Sequence, residues 1–174
     1  MTPTLAIEAL MLHPRYAELA AKLRALAPVD LIDQADTATD RAGTLMAAGA
    51  AILGADGVHP ANPAAIPGWL RLGVLDTLTT WATGNGRTCA HNPTPDRPQP
   101  VLAAAWKPGL VTCLPCVRLF TLPRGSNLER VCDACGHQCT ELDGGDGIYP
   151  AMVQLGPLVY QYGVCARCVP GEPL

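Results

Sequence analysis

The sequence predicts an α+β fold, with an N-terminal helical bundle over residues 1–86 followed by two tandem β-hairpin units over residues 87–174. In the first part, apolar side chains recur at helical spacing between prolines and glycines. In the second part, short apolar runs flank turns rich in glycine and proline. With 174 residues, 49% of them apolar, the chain suits one packed domain or two small ones.

Three helices account for the first part of the chain. Proline fits the first turn of a helix but interrupts its interior, so prolines mark several of the boundaries. Aromatic residues make up only 5% of the chain, which indicates helix packing through small side chains. The predicted helices run from Pro14 to Pro28, from Asp30 or Asp33 to Leu53, and from Pro67 to Gly84.

Two β-hairpins account for the second part. Each hairpin runs directly into a Cys-x-x-Cys pair. Both units therefore have the same sequence of parts, which is a ligand pair, a connection, a hairpin and a second ligand pair. The units cover about residues 87–122 and 128–174. The predicted strands are Val101–Trp106 and Leu110–Thr112 around Lys107-Pro108-Gly109, and Ala151–Leu155 and Leu158–Val164 around Gly156-Pro157.

Eight candidate metal ligands occur as four closely spaced pairs. A Cys-x-x-Cys turn lets two thiolates reach one ion, and a tetrahedral Zn²⁺ site needs two such pairs. The chain therefore predicts two structural Zn²⁺ ions, and the spacing fits metal better than a disulfide framework. The candidates are Cys89, His91, Cys113 and Cys116 for site 1, and Cys132, Cys135, Cys165 and Cys168 for site 2.

Three turns carry a resemblance to a known class of protein: Cys113-Leu-Pro-Cys116, Cys132-Asp-Ala-Cys135-Gly136 and Cys165-Ala-Arg-Cys168. Strand-like residues enter the first and the third, and Gly136 suits a knuckle that needs a left-handed residue. Over about half its length, the chain thus resembles zinc-ribbon and treble-clef zinc-knuckle proteins as a broad class. The resemblance implies two tandem zinc-ribbon-like units but no single activity, because such modules serve many functions.

Spacing leaves open which ligand pairs share an ion. The repeated hairpin favours consecutive pairing, which gives sites 1 and 2 as defined above. In a second arrangement, the inner pairs Cys113/Cys116 and Cys132/Cys135 share one ion across a 15-residue gap, and the outer pairs share the other. In a cross-braced arrangement, the first pair joins the third and the second joins the fourth.

Two groups of residues outside these pairs are weaker candidates. Cys139 and His137 lie close enough to the second site to replace a neighbouring ligand, although Cys139 is more simply a buried or loop thiol. The Gly- and Asp-rich run at 143–147 predicts a turn, because it lacks the acidic spacing of a calcium loop and the lysine of a P-loop.

Tyr160 and Tyr162 share one predicted strand face, where exposed rings could stack on nucleic-acid bases. Arginines nearby would add a small basic surface, but isolated solvated arginines at a strand edge are the favoured interpretation. These arginines are Arg118, Arg124, Arg130 and Arg167.

Charge weighs against a nucleic-acid partner. The formal net charge is −3, and residues 1–86 alone carry five basic and eight acidic side chains. Two Zn²⁺ ions bound by seven thiolates and one imidazole would bring the loaded chain to about −6. Nucleic-acid binders usually carry a basic face, and this chain has no run of Lys or Arg. A protein partner is therefore favoured over a nucleic acid.

The sequence also predicts a cytoplasmic protein with no membrane partner. Its first residues lack the basic and apolar regions of a signal peptide. The longest weakly polar stretch, Thr44–Ala55, is shorter than the ~20 residues that span a bilayer. Reduced cysteine ligands fit a reducing compartment.

Closed zinc sites favour a role without catalysis. A catalytic zinc usually keeps an open position, and the zinc-deaminase and His-Glu-x-x-His signatures are absent from the sequence. The favoured function is a structural zinc-binding adaptor or regulator that acts through protein–protein interaction. The alternatives are a transcription-type zinc-ribbon regulator that associates with nucleic acid, and a hydrolase whose site the sequence does not reveal.

Overall fold

The computed structural model describes residues 2–55, 57–142 and 145–169. The end of the second predicted unit, residues 170–174, and part of the predicted turn at 143–147 lie outside the described residues. The helices are α1 (Pro3–Met11), α2 (Tyr16–Arg24), α3 (Val29–Ile52) and α4 (Gly68–Ala82). The strands are β1 (Arg87–Thr88), β2 (Val101–Ala104), β3 (Leu110–Cys113), β4 (Ile148–Leu155) and β5 (Leu158–Cys165).

The three predicted helices correspond to α2, α3 and α4, and α1 is an additional helix. The Thr2 hydroxyl caps α1 by accepting from the Leu5 amide at 3.4 Å, and Pro3 occupies its first position. Helix α3 begins at Val29, directly after Pro28, so Asp30 lies in its first turn and is not its cap. Both predicted hairpins are confirmed, as β2–β3 and β4–β5.

The two hairpins lie in a single five-stranded sheet of order β1-β3-β2-β5-β4. Strands β2 and β5 pair in parallel and join the hairpins, with Val101 opposite Leu158. Strand β1 adds a short parallel pair at the edge beside β3, and β4 forms the other edge. The mixed helix-and-sheet class that the sequence predicts is therefore observed, with both hairpins in one sheet.

Helices cover both faces of this sheet. Successive residues of β5 point to opposite faces, so Tyr160 shares a buried cluster with Val74 of α4, whereas Val159 packs against Met46 of α3. Helix α4 lies close to the sheet at Gly73, where an added Cβ would be 2.9 Å from the Tyr160 hydroxyl. A small residue at this position lets the helix backbone approach the strand.

The helices pack on the sheet as well as on one another. Helix α1 packs along α4, and the Arg71 guanidinium binds the Glu8 carboxylate there at 2.7 Å with both side chains largely buried. Helices α3 and α4 instead bury their apolar faces on the sheet, because β-strand residues distant in sequence supply the complementary surface. Within the described residues, no helix combines the length and apolar character needed to cross a bilayer.

Candidate metal centres and an apolar groove

The first cysteine cluster forms where β1 and β3 end side by side. These strands pair in parallel, so Cys89 and Cys113 leave the sheet next to each other. The Asn92 amide donates to the Cys89 carbonyl at 2.9 Å, and Asn92 has a left-handed φ of 44°. This tight turn brings His91 back toward Cys113. Cys116 joins them from the 3₁₀ segment Leu114–Phe120 that follows β3.

The second cluster has a similar construction at the end of β5. Cys165 ends the strand, and Cys168 follows in the 3₁₀ segment Ala166–Cys168. Cys132 and Cys135 lie on a turn in which the Gly136 amide donates to the Cys132 carbonyl at 2.8 Å. Gly136 has a φ of 73°, which confirms the left-handed residue predicted from the sequence.

Asp133 holds this turn against the strand that carries the other two ligands. Its carboxylate accepts from the Gly163 amide at 2.7 Å, and its own amide donates to the Gly163 carbonyl at 2.8 Å. Asp133 is half-buried, and burial raises its pKa while the hydrogen bond from Gly163 opposes that rise. Two hydrogen bonds thus fix the Cys132–Cys135 turn beside β5.

The two clusters match in backbone geometry and in burial. Cys113 has φ −72° and ψ 161°, and Cys165 has φ −71° and ψ 163°. In each cluster two ligands are buried, one is half-buried and one is exposed. The exposed members are His91 and Cys135. The two units that the sequence predicts to be similar therefore have ligand clusters of similar local geometry.

The ligand atoms lie at separations that suit one tetrahedral ion in each cluster. Zn–S bonds of about 2.3 Å and Zn–N bonds of about 2.0 Å would set donor separations of about 3.8 Å for S–S and about 3.5 Å for S–N. In the first cluster, Cys89 Sγ lies 3.6 Å from Cys113 Sγ, and His91 Nδ1 lies 3.2 Å from Cys116 Sγ and 3.4 Å from Cys113 Sγ. In the second, Cys135 Sγ lies 3.9 Å from Cys165 Sγ.

All four donor atoms of each cluster lie within 4.8 Å of one another. None of these cysteines is joined in a disulfide. Both groups could therefore hold a metal ion, and their donor sets and spacing fit an ion that prefers four sulfur or nitrogen ligands in a tetrahedron.

The thiols of the first cluster differ in how readily they ionise. Burial opposes ionisation of Cys89, but amide hydrogen bonds from Cys113 and His91 outweigh it and lower the pKa to about 6. Burial and the neighbouring Cys89 and Cys116 raise the pKa of Cys113 to about 11. Backbone amides thus stabilise one thiolate while its neighbours resist ionisation, and a divalent ion would supply the missing positive charge.

The same division of thiol pKa values occurs in the second cluster. Burial opposes ionisation of Cys132, but amide hydrogen bonds from Cys165, Cys135 and Ala134 lower its pKa to about 7. Burial, followed by the nearby thiols, raises the pKa of Cys168 to about 12.

The two clusters lie at opposite ends of the sheet. Val101, at the start of β2, is opposite both Cys113 and Leu158. Cys165 lies at the far end of β5, seven residues beyond Leu158, a rise of roughly 23 Å at about 3.3 Å per residue. The ligand pairs are thus grouped consecutively, and the inner-pair and cross-braced arrangements do not match this geometry.

The other candidates have different surroundings. His137, Cys139 and Asp146 form a third group of potential ligands, beside the second cluster and separate from it.

Tyr160 and Tyr162 are only 7% and 6% exposed, and Trp69 packs edge-on against Tyr162. Neither tyrosine is available to stack on a base, because both rings belong to the core between α4 and the sheet.

A groove that the sequence does not predict runs along the outer edge of β4, which has no neighbouring strand in the described part of the chain. Its cavity volume is about 810 Å³, and apolar side chains form most of its wall. It is lined by residues of α3, of α1 and α4, and of the loop at 57–67. Its main apolar lining residues are Met11, Met46, Ala50, Leu53, Ile66, Leu70, Val74, Met152 and Leu155.

Backbone groups of β4 point into this groove. On the neighbouring strand β5, the Gly163 carbonyl accepts from the Asp133 amide, and the Gln161 carbonyl accepts from the Ala105 amide. These two β5 residues therefore direct their backbone groups away from β4. Their partners Pro150 and Met152, and Gln154 two residues further on, must therefore direct their own backbone groups toward the outer edge. Pro150 has no amide hydrogen to leave unpaired there.

Comparisons with protein-family models, with curated proteins and with solved structures found no match for this chain. The features available for interpreting its function are therefore those of its own residues. They are the two four-ligand clusters, the third group of potential ligands, and the apolar groove at β4.

Proposed function

We propose that this chain is a structural zinc-binding adaptor that binds an extended apolar segment of a partner protein along the edge of β4. The observation that carries the proposal is that β4 directs backbone groups toward an edge with no neighbouring strand among the described residues, with apolar walls on both sides of that edge. Such an edge recognises another strand by main-chain hydrogen bonds, while pockets on either side select alternate side chains.

Zinc is the metal that best explains the two clusters. Seven thiols and one imidazole provide soft and borderline donors, and zinc combines with such donors in closed tetrahedral sites. Four protein ligands leave no position for substrate or water, so the ions would stabilise the fold and take no part in chemistry. Each hairpin with its ligand pairs would then be a zinc-ribbon-like unit, in a reducing compartment such as the cytoplasm.

The groove suits a strand better than a compact ligand. Met152 and Gln154 are two residues apart on β4, so their backbone groups match the repeat of an incoming strand. Side chains of that strand would alternate between the α3 wall, near Met46, and the α4 wall, near Val74. Edge strands present backbone groups that can pair with another strand, and residues of α3 and α4 line the groove beside this edge.

A nucleic-acid partner has less support, because Tyr160 and Tyr162, which could stack on bases only if exposed, are both buried. The chain also carries a formal net charge of −3. A protein segment is therefore the partner that we propose.

Peptide selection on the zinc-loaded full chain tests this proposal. Peptides selected from a displayed random library should alternate apolar residues and perturb the amide resonances of Met152 and Gln154. Met152→Pro removes the outward amide at a position equivalent to Pro150 and should weaken binding about tenfold or more, the equivalent of one or two hydrogen bonds. Met152→Leu keeps the amide and the apolar side chain and serves as the matched control. Selection of no peptide, or equal binding by both variants, would contradict the proposal.

A further inference from the structure

Three potential ligands converge outside the two four-ligand clusters. Nε2 of His137 lies 3.0 Å from Oδ1 of Asp146, and the ligand atoms of His137, Asp146 and Cys139 all lie within 4.8 Å of one another. Cys139 is 2% exposed, whereas His137 and Asp146 are partly open to solvent. The group therefore has one buried sulfur donor beneath two accessible donors.

Backbone hydrogen bonds hold His137 and Cys139 in place. The Cys132 amide donates to the His137 carbonyl at 2.8 Å, and the Cys139 amide donates to the Arg130 carbonyl at 2.8 Å. A bridge between Val131 and Gln138 lies between these two bonds. The segment from 137 to 139 is therefore anchored to the chain that leads into the second cluster.

Thr140 orients the Asp146 carboxylate by donating hydrogen bonds to one of its two oxygens. Its Oδ2 accepts from the Thr140 amide at 2.9 Å and from the Thr140 hydroxyl at 2.8 Å. Oδ1 is thereby directed at His137, and both lie on the same side as the Cys139 thiol. The Asp146 carboxylate is thus oriented by hydrogen bonds to its other oxygen, as outer hydrogen bonds orient metal ligands, whereas His137 and Cys139 are held through their backbone.

We propose that His137, Cys139 and Asp146 form a third site, which binds a Zn²⁺ ion exchangeably and leaves its fourth position open. One thiolate and one carboxylate balance the charge of a divalent ion when the imidazole is neutral. Tetrahedral geometry with Zn–N and Zn–O bonds of about 2.0 Å would separate Nε2 from Oδ1 by about 3.3 Å, close to their 3.0 Å hydrogen bond. Small side-chain movements would therefore replace that hydrogen bond with two bonds to the ion.

This site differs from the other two in ways that affect its occupancy. It has three protein donors where each cluster has four, and two of the three are accessible to solvent. Zinc should therefore bind it more weakly and exchange faster than at the closed clusters. The open position would accept water or a donor from another molecule. The inference does not depend on the proposed peptide groove.

Metal titration of the full chain tests the third site. Protein carrying only its tightly bound zinc is titrated with Zn²⁺, and the bound ions are counted by native mass spectrometry and calorimetry. A third equivalent should bind, and His137→Ala should weaken it about tenfold or more, since losing a ligand costs at least as much as losing an outer hydrogen-bond partner. His59→Ala changes an exposed histidine distant in sequence and should leave the third equivalent unchanged.

A second measurement identifies the sulfur ligand. Titration with Co²⁺ in place of Zn²⁺ should add thiolate-to-cobalt charge-transfer absorption at the third equivalent, and Cys139→Ala should remove that increment. The third site would be overturned if binding ended at two equivalents. It would also be overturned if the third equivalent had unchanged affinity in His137→Ala or lacked the thiolate absorption.

Discussion

Asp133 and Gly163 join the second cysteine turn to strand β5 through a reciprocal pair of hydrogen bonds. The Gly163 amide donates to the Asp133 carboxylate at 2.7 Å, and the Asp133 amide donates to the Gly163 carbonyl at 2.8 Å. Cys132 and Cys135 lie on one side of this contact, and Cys165 lies two residues beyond Gly163. The contact therefore helps to set the distance between the two ligand pairs of the second cluster.

Loss of the Asp133 carboxylate should destabilise this junction. Asp133→Ala leaves the buried Gly163 amide without its acceptor, and the expected cost is about 1–3 kcal/mol in the free energy of unfolding. Asp133→Asn keeps an acceptor oxygen and should cost less. Chemical denaturation of the zinc-loaded variants measures both changes, and equal stabilities for Asp133→Ala and the wild-type protein would contradict the assigned role.

Gly163 should tolerate no side chain, because a Cβ there would lie 2.6 Å from Cγ2 of Ile148. Gly163→Ala should lower the free energy of unfolding by about 1–3 kcal/mol through overpacking. Gly68→Ala, at a position where an added Cβ meets nothing closer than 3.9 Å, is the matched control. Thermal or urea unfolding provides the comparison. If the clash is the cause, the Ile148→Ala background should reduce the effect of Gly163→Ala.

Single cysteine variants should each remove one ion and leave the other. Because the clusters lie at opposite ends of the sheet, Cys113→Ala should retain an ion bound by four sulfurs. Cys165→Ala should retain an ion bound by three sulfurs and one nitrogen. Metal analysis with X-ray absorption distinguishes these products, and Cys139→Ala should keep both tightly bound ions. Loss of the same ion from both cysteine variants would show that the ligand pairs are not grouped consecutively.

Stability should fall at alkaline pH because of Tyr160. Burial, with smaller contributions from Asp133 and Asp76, raises the pKa of Tyr160 to about 12 from an ordinary value of 10.0. The folded protein keeps the phenol proton after the unfolded chain has lost it, so the stabilisation is complete below pH ~10 and is lost as pH rises toward ~12. Its size is about 2–3 kcal/mol.

Urea denaturation across this pH range tests the role of Tyr160. Tyr160→Phe should flatten the alkaline loss of stability, whereas Tyr16→Phe, at a 37% exposed position, should leave the profile unchanged. Identical profiles for Tyr160→Phe and the wild-type protein would contradict the assignment.

Local patterns in the sequence predict the hairpins and the spacing of the ligands. Glycine and proline mark the turns, and cysteines in pairs mark the ends of β3 and β5, so neighbouring residues carry the necessary information. Gly136 is a further example, since its left-handed conformation follows from its place after Cys135.

Contacts between distant segments decide the features that the sequence does not reveal. The parallel pairing of Val101 with Leu158 places two hairpins in one sheet, and this register depends on residues 57 positions apart. Helices α3 and α4 then pack on the faces of that sheet. The burial of Tyr160 and the open edge of β4 both follow from this arrangement, so neither is visible in local spacing.

Zinc stoichiometry with X-ray absorption on the purified full chain tests the central claim most directly. After exhaustive dialysis to remove exchangeable ions, we predict two zinc ions per chain, with seven sulfur donors and one nitrogen donor shared between them. Fewer than two tightly bound ions, or a first shell in which oxygen replaces sulfur, would contradict two closed structural zinc sites.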